Sequence, residues 1–438
     1  MDNKFLAEQI FMAAVESVLP EKMIRREVVL KDDVLEISGI RLPLDTLDRI
    51  YIIGAGKASG RMALEIENIL GEKITAGHVI TKYGHTCELK YIYLSEASHP
   101  VPDENGIYAT ESVLGIADKA AENDLVICLI SGGGSSLLAD VPEGLSISDL
   151  IMINNELLRC GADIREINTV RKHLSKVKGG QLARAAMPAT VISLILSDVI
   201  GDPLDVIASG PTVPDNTTFN DAWKVIKKYD LISRLPHPVT DYLQNGIAGI
   251  YPDTPKKDDA VFNQVHNIIV GNNKIALEAA VQKARELGLN AFQVTSELTG
   301  DTTDAANHLV NIARSYQADD LIEKPCCLLF GGETTVKVKG TGVGGRNQHL
   351  ALLIALLLRG SKGITLLAAG TDGNDGPTEA AGAVVDNQTF DAASNKNLDA
   401  RQYLSNFDSF HFFKKAGGHI ITDPTGTNVM DVIVILIE

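Results

Sequence analysis

The residues best suited to chemistry in this chain are glycines, a few isolated cations and a scatter of acids, all placed just after apolar runs. "GAGKASG", "SGGGSS", "GTGVGGRNQ" and "GTDGNDGPT" each follow an apolar stretch. A glycine run after a strand lets successive backbone N–H groups turn toward one point. The next helix adds free N-terminal donors and the positive end of its dipole. "LISGGGSSLL" is the densest case, with Gly132, Gly133 and Gly134 ahead of Ser135 and Ser136. The two serines are placed to cap the helix or to add hydroxyl donors. This chemistry suits a phosphate or carboxylate; the competing account is a tight strand-to-helix turn that binds nothing.

Two cations stand beside such loops. Lys57 lies in the first turn after a buried strand, where an ammonium acts as a point charge on phosphate; a solvated surface lysine is the alternative. "GAGKASG" begins like the dinucleotide pattern G-x-G-x-x-G, but Ser59 fills the last place. The following strand, ending "ITKYGHT", lacks the acid that a ribose wants. A P-loop fails too, since Ala58 follows Gly56-Lys57 and Tyr51 stands where the first glycine belongs. Arg346 opens the helix "RNQHLALLIALLLR", after Gly345 and with Asn347 as a plausible cap. A cation at the positive end of a helix is locally unfavourable. A bound carboxylate or phosphate would remove the conflict, and so would one of the chain's many acids.

Acids cluster in three places: Asp198, Asp202 and Asp205 in "LSDVIGDPLD", Glu333 in "GGETT", and Asp372 and Asp375 in "TDGNDG". Mg²⁺ takes oxygen ligands, commonly one or two carboxylates with phosphate oxygens and water. Asp198, Glu333 and Asp372 are the candidate metal ligands, whereas Asp375 reads as a turn residue. Asp198 ends an apolar run, so it is placed either to ligate metal or to accept a proton from a substrate hydroxyl. His99, before Pro100, reads as structural. "REINTVRKHLSKVKGGQLARA" concentrates Lys and Arg in an acidic chain. It reads mainly as a solvated helix face, with Arg171, Lys172 or Lys178 able to draw a substrate carboxylate.

The elements that must hold these residues alternate. "DRIYIIGAG", "AGHVITKYG", "YIYLSEASHP", "DLVICLISGGG" and "TVISLILSDV" read as strands, with helical spacing between them. Runs that stay apolar instead of alternating indicate strands buried on both faces, hence a parallel sheet. The expected class is α/β: an N-terminal doubly wound, Rossmann-like parallel sheet over 1–240, then a second α/β domain with a mixed sheet over 260–438. Residues 234–262, with several prolines and little periodicity, read as the linker. The C-terminal third carries hairpin signals, including "CCLLFGGETTVKVKGTGVGG", and ends in the strand "MDVIVILIE".

Composition narrows the partners. Over 438 residues, 45% apolar and 22% charged content supplies ample core for two domains. A formal charge of -16 repels phosphodiester backbones and anionic lipid, so neither nucleic acid nor membrane is an expected partner. Five cysteines without CxxC spacing point to a reducing, cytoplasmic setting, with adjacent Cys326 and Cys327 as strand packing. The mixed-charge N-terminus does not read as a signal peptide, and the apolar stretch 350–358 is far shorter than a membrane span.

Taken together, "GAGKAS", "SHPVPD", "LISGGGSSLL", "INTVRKHLSKVKGGQLA", "LSDVIGDPLDVIASGPT", "GNNKIALEAA", "FGGETTVKVKGTGVGGRNQHLAL", "AAGTDGNDGPTEAAGA" and "DPTGTNVMDV" resemble the class II glycerate kinases, the glycerate 2-kinase family with a C-terminal MOFRL-type domain. The likeness spans nearly the whole chain. It departs at Asp423 and Met430, where the family more often shows Gly and a polar residue. The resemblance implies transfer of phosphoryl from ATP to the 2-hydroxyl of D-glycerate with Mg²⁺, at a site in the cleft between two α/β domains. It puts the family's lysine and arginine on Lys57 and Arg346, for phosphate and carboxylate charge. The 132–135 loop, with Gly345 and Asn347, then serves phosphate or substrate oxygens, and Asp198 metal or hydroxyl. The partners implied are small molecules, with a homodimer left open. An NAD(P)H-dependent hydroxypyruvate reductase and a non-catalytic sugar-acid or nucleotide binder are the alternatives.

Overall fold

A computed structural model of the chain describes residues 2–438 and resolves two compact units. The first unit comprises Met23–Ser197 and Asp202–Val270. It opens with an antiparallel meander, β1 (Val28–Lys31), β2 (Val34–Ile37) and β3 (Ile40–Pro43). Its main sheet contains β4 (Ile50–Ala55), β5 (Ala76–Lys82), β6 (Tyr93–Ala97), β7 (Leu125–Ile130), β8 (Thr190–Leu196) and β9 (Val265–Gly271), in the order β6-β5-β4-β7-β8-β9. Adjacent strands from β6 to β8 pair in parallel. Every residue of β4 and β7 is buried, as their unbroken apolar runs require. Ala55 lies opposite Ile130, and Ile130 opposite Ile195. The chain therefore leaves these three strands at one edge of the sheet, where ligands bind in such folds.

A helical layer completes this unit. Helices Ile147–Arg159, Ile164–His173, Phe219–Lys228 and His237–Ile247 share a core that includes Ile153, Leu157, Val170, Ala222, Ile226, Val239 and Leu243. Each such Ile, Leu or Val side chain, fully buried, contributes roughly 1.5–3 kcal/mol. The stretch expected to be a linker thus contains a packed helix. Pro238 lies in its first turn, where the missing N–H has no partner to lose. The expected boundary near 240–260 also shifts, because β9 joins the first sheet beside β8.

The second unit gathers Gly271–Glu438, the four residues Asp198–Gly201 and the N-terminal segment up to Lys22. Its sheet holds β10 (Asn290–Leu298), β11 (Cys326–Gly332), β12 (Ile364–Gly370), β13 (Gly382–Asp386), β14 (His419–Ile420) and β15 (Asp431–Ile437), in the order β10-β11-β15-β12-β13-β14. Only β10 and β11 pair in parallel, so the sheet is mixed as expected. β15 is buried throughout between β11 and β12. Leu328, Phe330, Leu350, Ile354, Phe412, Ile433 and Ile435 belong to one core. Helix Asn3–Ser17 packs on helix Asn273–Glu286, β12 and β15, so the first helix of the chain belongs here and not to the first domain. Residues 333–345 form no hairpin. Their backbone is held as a loop by Asn406 and Asp408, through Gly342 N to Asn406 O and Val343 N to Asp408 Oδ1, each 2.9 Å.

Candidate active site

In the first unit the loops after β4 and β7 are tied together. Lys57 N donates to Gly132 O at 2.9 Å, and Ala58 N to Ser131 Oγ at 3.0 Å. Ser131 N returns to Ala55 O, and Gly56 N to Ile80 O on β5. This lattice fixes Lys57 beside the glycine loop while its ammonium makes no hydrogen bond or ion pair among the described residues. Gly133 has φ 83°, and a Cβ there would lie 2.9 Å from His99 Cδ2 and 3.5 Å from Lys57 Cε. Glycine is therefore required, both for its backbone and for the approach of those two side chains. The N–H groups of Gly132, Gly133 and Ser135 donate to no protein acceptor among the described residues. They remain open for an anion.

His99 lies in this cluster and is not merely a backbone device. Burial, then the charges of Lys57, Lys82 and His85, lower its pKa to about 4. It is a neutral imidazole at pH 7. Ser135 does not cap the short turn Gly134–Leu137, whose N-cap is Gly133 without a side-chain bond. Its Oγ instead lies 2.8 Å from Ser209 Oγ, and Ser209 Oγ donates to Asn168 Oδ1 at 3.1 Å. Asn168 projects from helix Ile164–His173. That helix is not a solvated basic face, since Lys172 and His173 on it are buried, as is Lys178 beyond it. His173 Nδ1 is 2.7 Å from Thr169 O, and its Nε2 is 3.0 Å from Asp253 Oδ1.

In the second unit Arg346 is the first residue of helix Arg346–Leu357, and Gly345 occupies the cap position expected for Asn347. The amides of Asn347 and Gln348 are capped from 28 and 27 residues away, by Asp375 Oδ1 at 3.0 Å and Oδ2 at 2.8 Å. A Cβ on Gly345 would overlap that carboxylate. Asp375 is therefore a buried cap and not a surface turn residue. Burial pushes its pKa up to about 6 against the pull of those amides. Arg346 is held by protein acids: Nε and Nη2 donate to the two oxygens of Asp431 at 2.6 and 2.9 Å, and Nη1 lies 2.8 Å from Glu333 Oε1. Burial disfavours its charge, and the bond to Asp431 with the charges of Asp431, Glu333 and Asp375 more than offsets this. Asn347 Nδ2 also donates to Asp431 Oδ1, at 2.8 Å.

The expected metal ligands lie around Arg346. The Glu333 carboxyl is raised by burial and by the charges of Asp431, Asp198 and Asp372, while Arg346 pulls it down. Asp198 and Asp372 are thus each close enough to act on Glu333, although no three His, Cys, Asp or Glu side chains among the described residues converge as a ready metal cage. Asp202 and Asp205 belong to the first unit, and Asp205 lies 3.5 Å from Lys172 Nζ. Asp423 and Met430, the two departures noted in sequence, both take left-handed backbone, with φ 56° and 71°. Thr371 N and Oγ1 donate to Met430 O, so that contact uses the backbone alone. Reading the sequence missed Asp431, Asn168 and Ser209. Only Asp431, opening the final apolar run, carried the signal of an acid at a strand edge.

Comparison with known proteins finds two family domains along the chain. Residues 6–244 match a family described as "Domain of unknown function (DUF4147)", and residues 326–431 match the MOFRL family. A "D-glycerate 2-kinase" from Thermotoga maritima is 43% identical over 99% of this chain and 98% of its own. A "Glycerate 2-kinase" from Pyrococcus horikoshii is 39% identical over 100% of this chain and 98% of its own. The crystal structure of a Thermotoga maritima glycerate kinase superposes with a TM-score of 0.90 at 42% identity, covering 100% of this chain and 99% of that one. A protein from Agrobacterium vitis, 41% identical over 90% of this chain and 89% of its own, is named only provisionally as a hydroxypyruvate reductase.

Proposed function

The chain belongs to the glycerate kinase family that carries a MOFRL domain, and from that premise we propose that it transfers the γ-phosphoryl group of ATP to the 2-hydroxyl of D-glycerate, giving 2-phosphoglycerate. The observation that carries this reading is the full-length match to two proteins bearing that name. The chemistry of both clusters fits it. Phosphoryl transfer asks for positioning and charge neutralisation more than covalent help. Lys57 supplies a positive charge to the migrating group, and the open amides of Gly132, Gly133 and Ser135 take its oxygens. Arg346 keeps its Nε–Nη2 edge on Asp431. Its Nη1, paired with the more exposed Glu333, is the edge an oxyanion replaces. Gly345 and Asn347 set where that edge points. Asp198 accepts the proton of the 2-hydroxyl or joins a metal site.

Hard carboxylate oxygens such as Glu333, raised by the neighbouring charges of Asp198 and Asp372, are suitable donors for Mg²⁺. Asp198 and Asp372 would hold it together with phosphate oxygens and water, and Glu333 would join once Arg346 turns to substrate. Bound there, the metal supplies charge neutralisation on the phosphates. A cytoplasmic setting accompanies this reading, with all five cysteines as free thiols. Among the described residues no helix is long and apolar enough to cross a membrane.

The reductase reading has a specific weakness. β5 ends in Thr81 and Lys82, and Lys82 adds positive charge near His99 where a ribose-binding acid is wanted. An ADP-release assay with D-glycerate, L-glycerate, hydroxypyruvate and no acceptor, followed by identification of the phosphorylated carbon, decides the matter. ADP release that needs D-glycerate, with phosphate on C2, is the expected outcome. NADH oxidation by hydroxypyruvate without ATP would overturn it.

A further inference from the structure

Resting on the kinase reading, we propose that Arg171 is the receptor for the carboxylate of the acceptor. Three basic residues in the stretch around 171–178 are candidates to draw a carboxylate, and the structure separates them. Lys172 Nζ lies 3.5 Å from Asp205 and 3.4 Å from Asp215. Lys178 Nζ donates to Leu138 O at 2.6 Å and lies 3.5 Å from Asp140. Both charges are met inside the protein. Arg171 makes a single hydrogen bond, from Nε to the amide oxygen of Asn154 at 2.6 Å, and no ion pair among the described residues. Burial lowers its pKa, and no acid opposes that effect. A cation taken out of water without an anion is a costly state, and one that binding of a carboxylate relieves.

Its position fits the same role. Asn168 and Arg171 are three apart on helix Ile164–His173, hence on one face of it. Asn168 is bonded to Ser209, and Ser209 pairs with Ser135 of the glycine loop. Gly133, two residues before Ser135, lies against Lys57. A continuous chain of contacts within the first unit therefore runs from Lys57 to the helix face that carries Arg171. With Nε committed to Asn154, the remaining edge of the guanidinium is the Nη1–Nη2 pair. Two parallel N–H groups there match the two oxygens of a carboxylate. The ligand class is a small 2-hydroxy monocarboxylate, gripped at its acid end while its hydroxyl faces the phosphoryl group.

The test compares two acceptors on two proteins. Wild type and Arg171→Gln are assayed with D-glycerate and with D-glyceramide, which keeps the hydroxyls and lacks the charge. For the variant, kcat/KM on D-glycerate should fall on the order of 100-fold, mainly through KM, and that on the amide far less. The preference for the acid then collapses, with Arg171→Lys intermediate. Equal losses on both acceptors would mean a structural role and overturn the proposal, as would an unchanged preference. Calorimetric titration with D-glycerate separates this from the kinase reading. If wild type binds the acid without ATP-dependent turnover, the kinase reading fails, and binding lost in Arg171→Gln still sustains the receptor. Binding equal in both proteins, or absent from wild type, removes it.

Discussion

The glycine loop of the first unit and the helix start at Arg346 in the second are electrostatic opposites. Around the loop stand Lys57 and Lys82 beside the neutral His99, and the Lys57 ammonium meets no carboxylate. Around the helix start a single arginine faces Asp431, Glu333 and Asp375, and Glu333 also feels Asp198 and Asp372. One region has more positive charge than its own residues neutralise; the other has more negative charge. Each excess is a cost in the free protein that a ligand of the opposite sign removes. The contrast also explains why the chain's overall charge of -16 says little about its ligand.

Removing the isolated cation should break the contrast most severely. Lys57→Ala should lower phosphoryl transfer at least tenfold, and on the order of 10³-fold if Lys57 meets the group in flight. Its circular dichroism and melting point should stay near those of wild type, because no partner inside the protein is lost. Near-normal turnover would take Lys57 out of the reaction. Changing the paired cation should do less to rate and more to stability. Arg346→Lys keeps the charge but cannot span both oxygens of Asp431, so kcat/KM should fall roughly 100-fold and stability by about 1–3 kcal/mol. Wild-type kinetics and melting would show that charge alone suffices there.

The mildest effect concerns the buried cap. Asp375 titrates at about 6 in the folded chain, above its ordinary 3.8. A raised carboxyl pKa adds stability that is complete below the unfolded value and lost as pH rises through the folded one. Between pH 4 and 6.5 this group should therefore make the protein less stable as pH increases, by roughly 2 kcal/mol in all. Asp375→Asn should flatten that part of a denaturation-against-pH profile. If the two profiles superimpose in slope, Asp375 stays ionised across the window.

What could be read in advance followed from local pattern. β4, β7 and β8 declared themselves because a strand buried on both faces needs apolar residues at every position, and "YIIGA" and "LVICLI" supply them. The mixed second sheet was legible in the same way, from its apolar runs and the glycine loops that end them. Misreadings arose where a distant partner decides. "DGNDG" has turn composition, yet Asp375 is a cap because the first turn of a helix, with Asn347 28 residues earlier in the chain, lies beside it. "RKHLSKVK" looks solvated until Asp140, Asp205 and Asp215 come in from other segments to meet Lys172 and Lys178. Prolines hid helix His237–Ile247, since composition does not reveal that one of them falls in a permitted first turn.

Helix Asn3–Ser17 buries Leu6, Ile10, Phe11, Ala14 and Val15 in the unit built from Gly271–Glu438. During translation it emerges long before the surfaces that cover it, and β15, one of them, is made more than 400 residues later. Until then a greasy stripe waits without its cover, while Met23–Val270 is still being made. At about 5–20 residues per second, that delay lasts on the order of 20–90 s. Helix Asn3–Ser17 thus spends that interval with its apolar stripe unmatched by the surfaces that bury it in the folded chain.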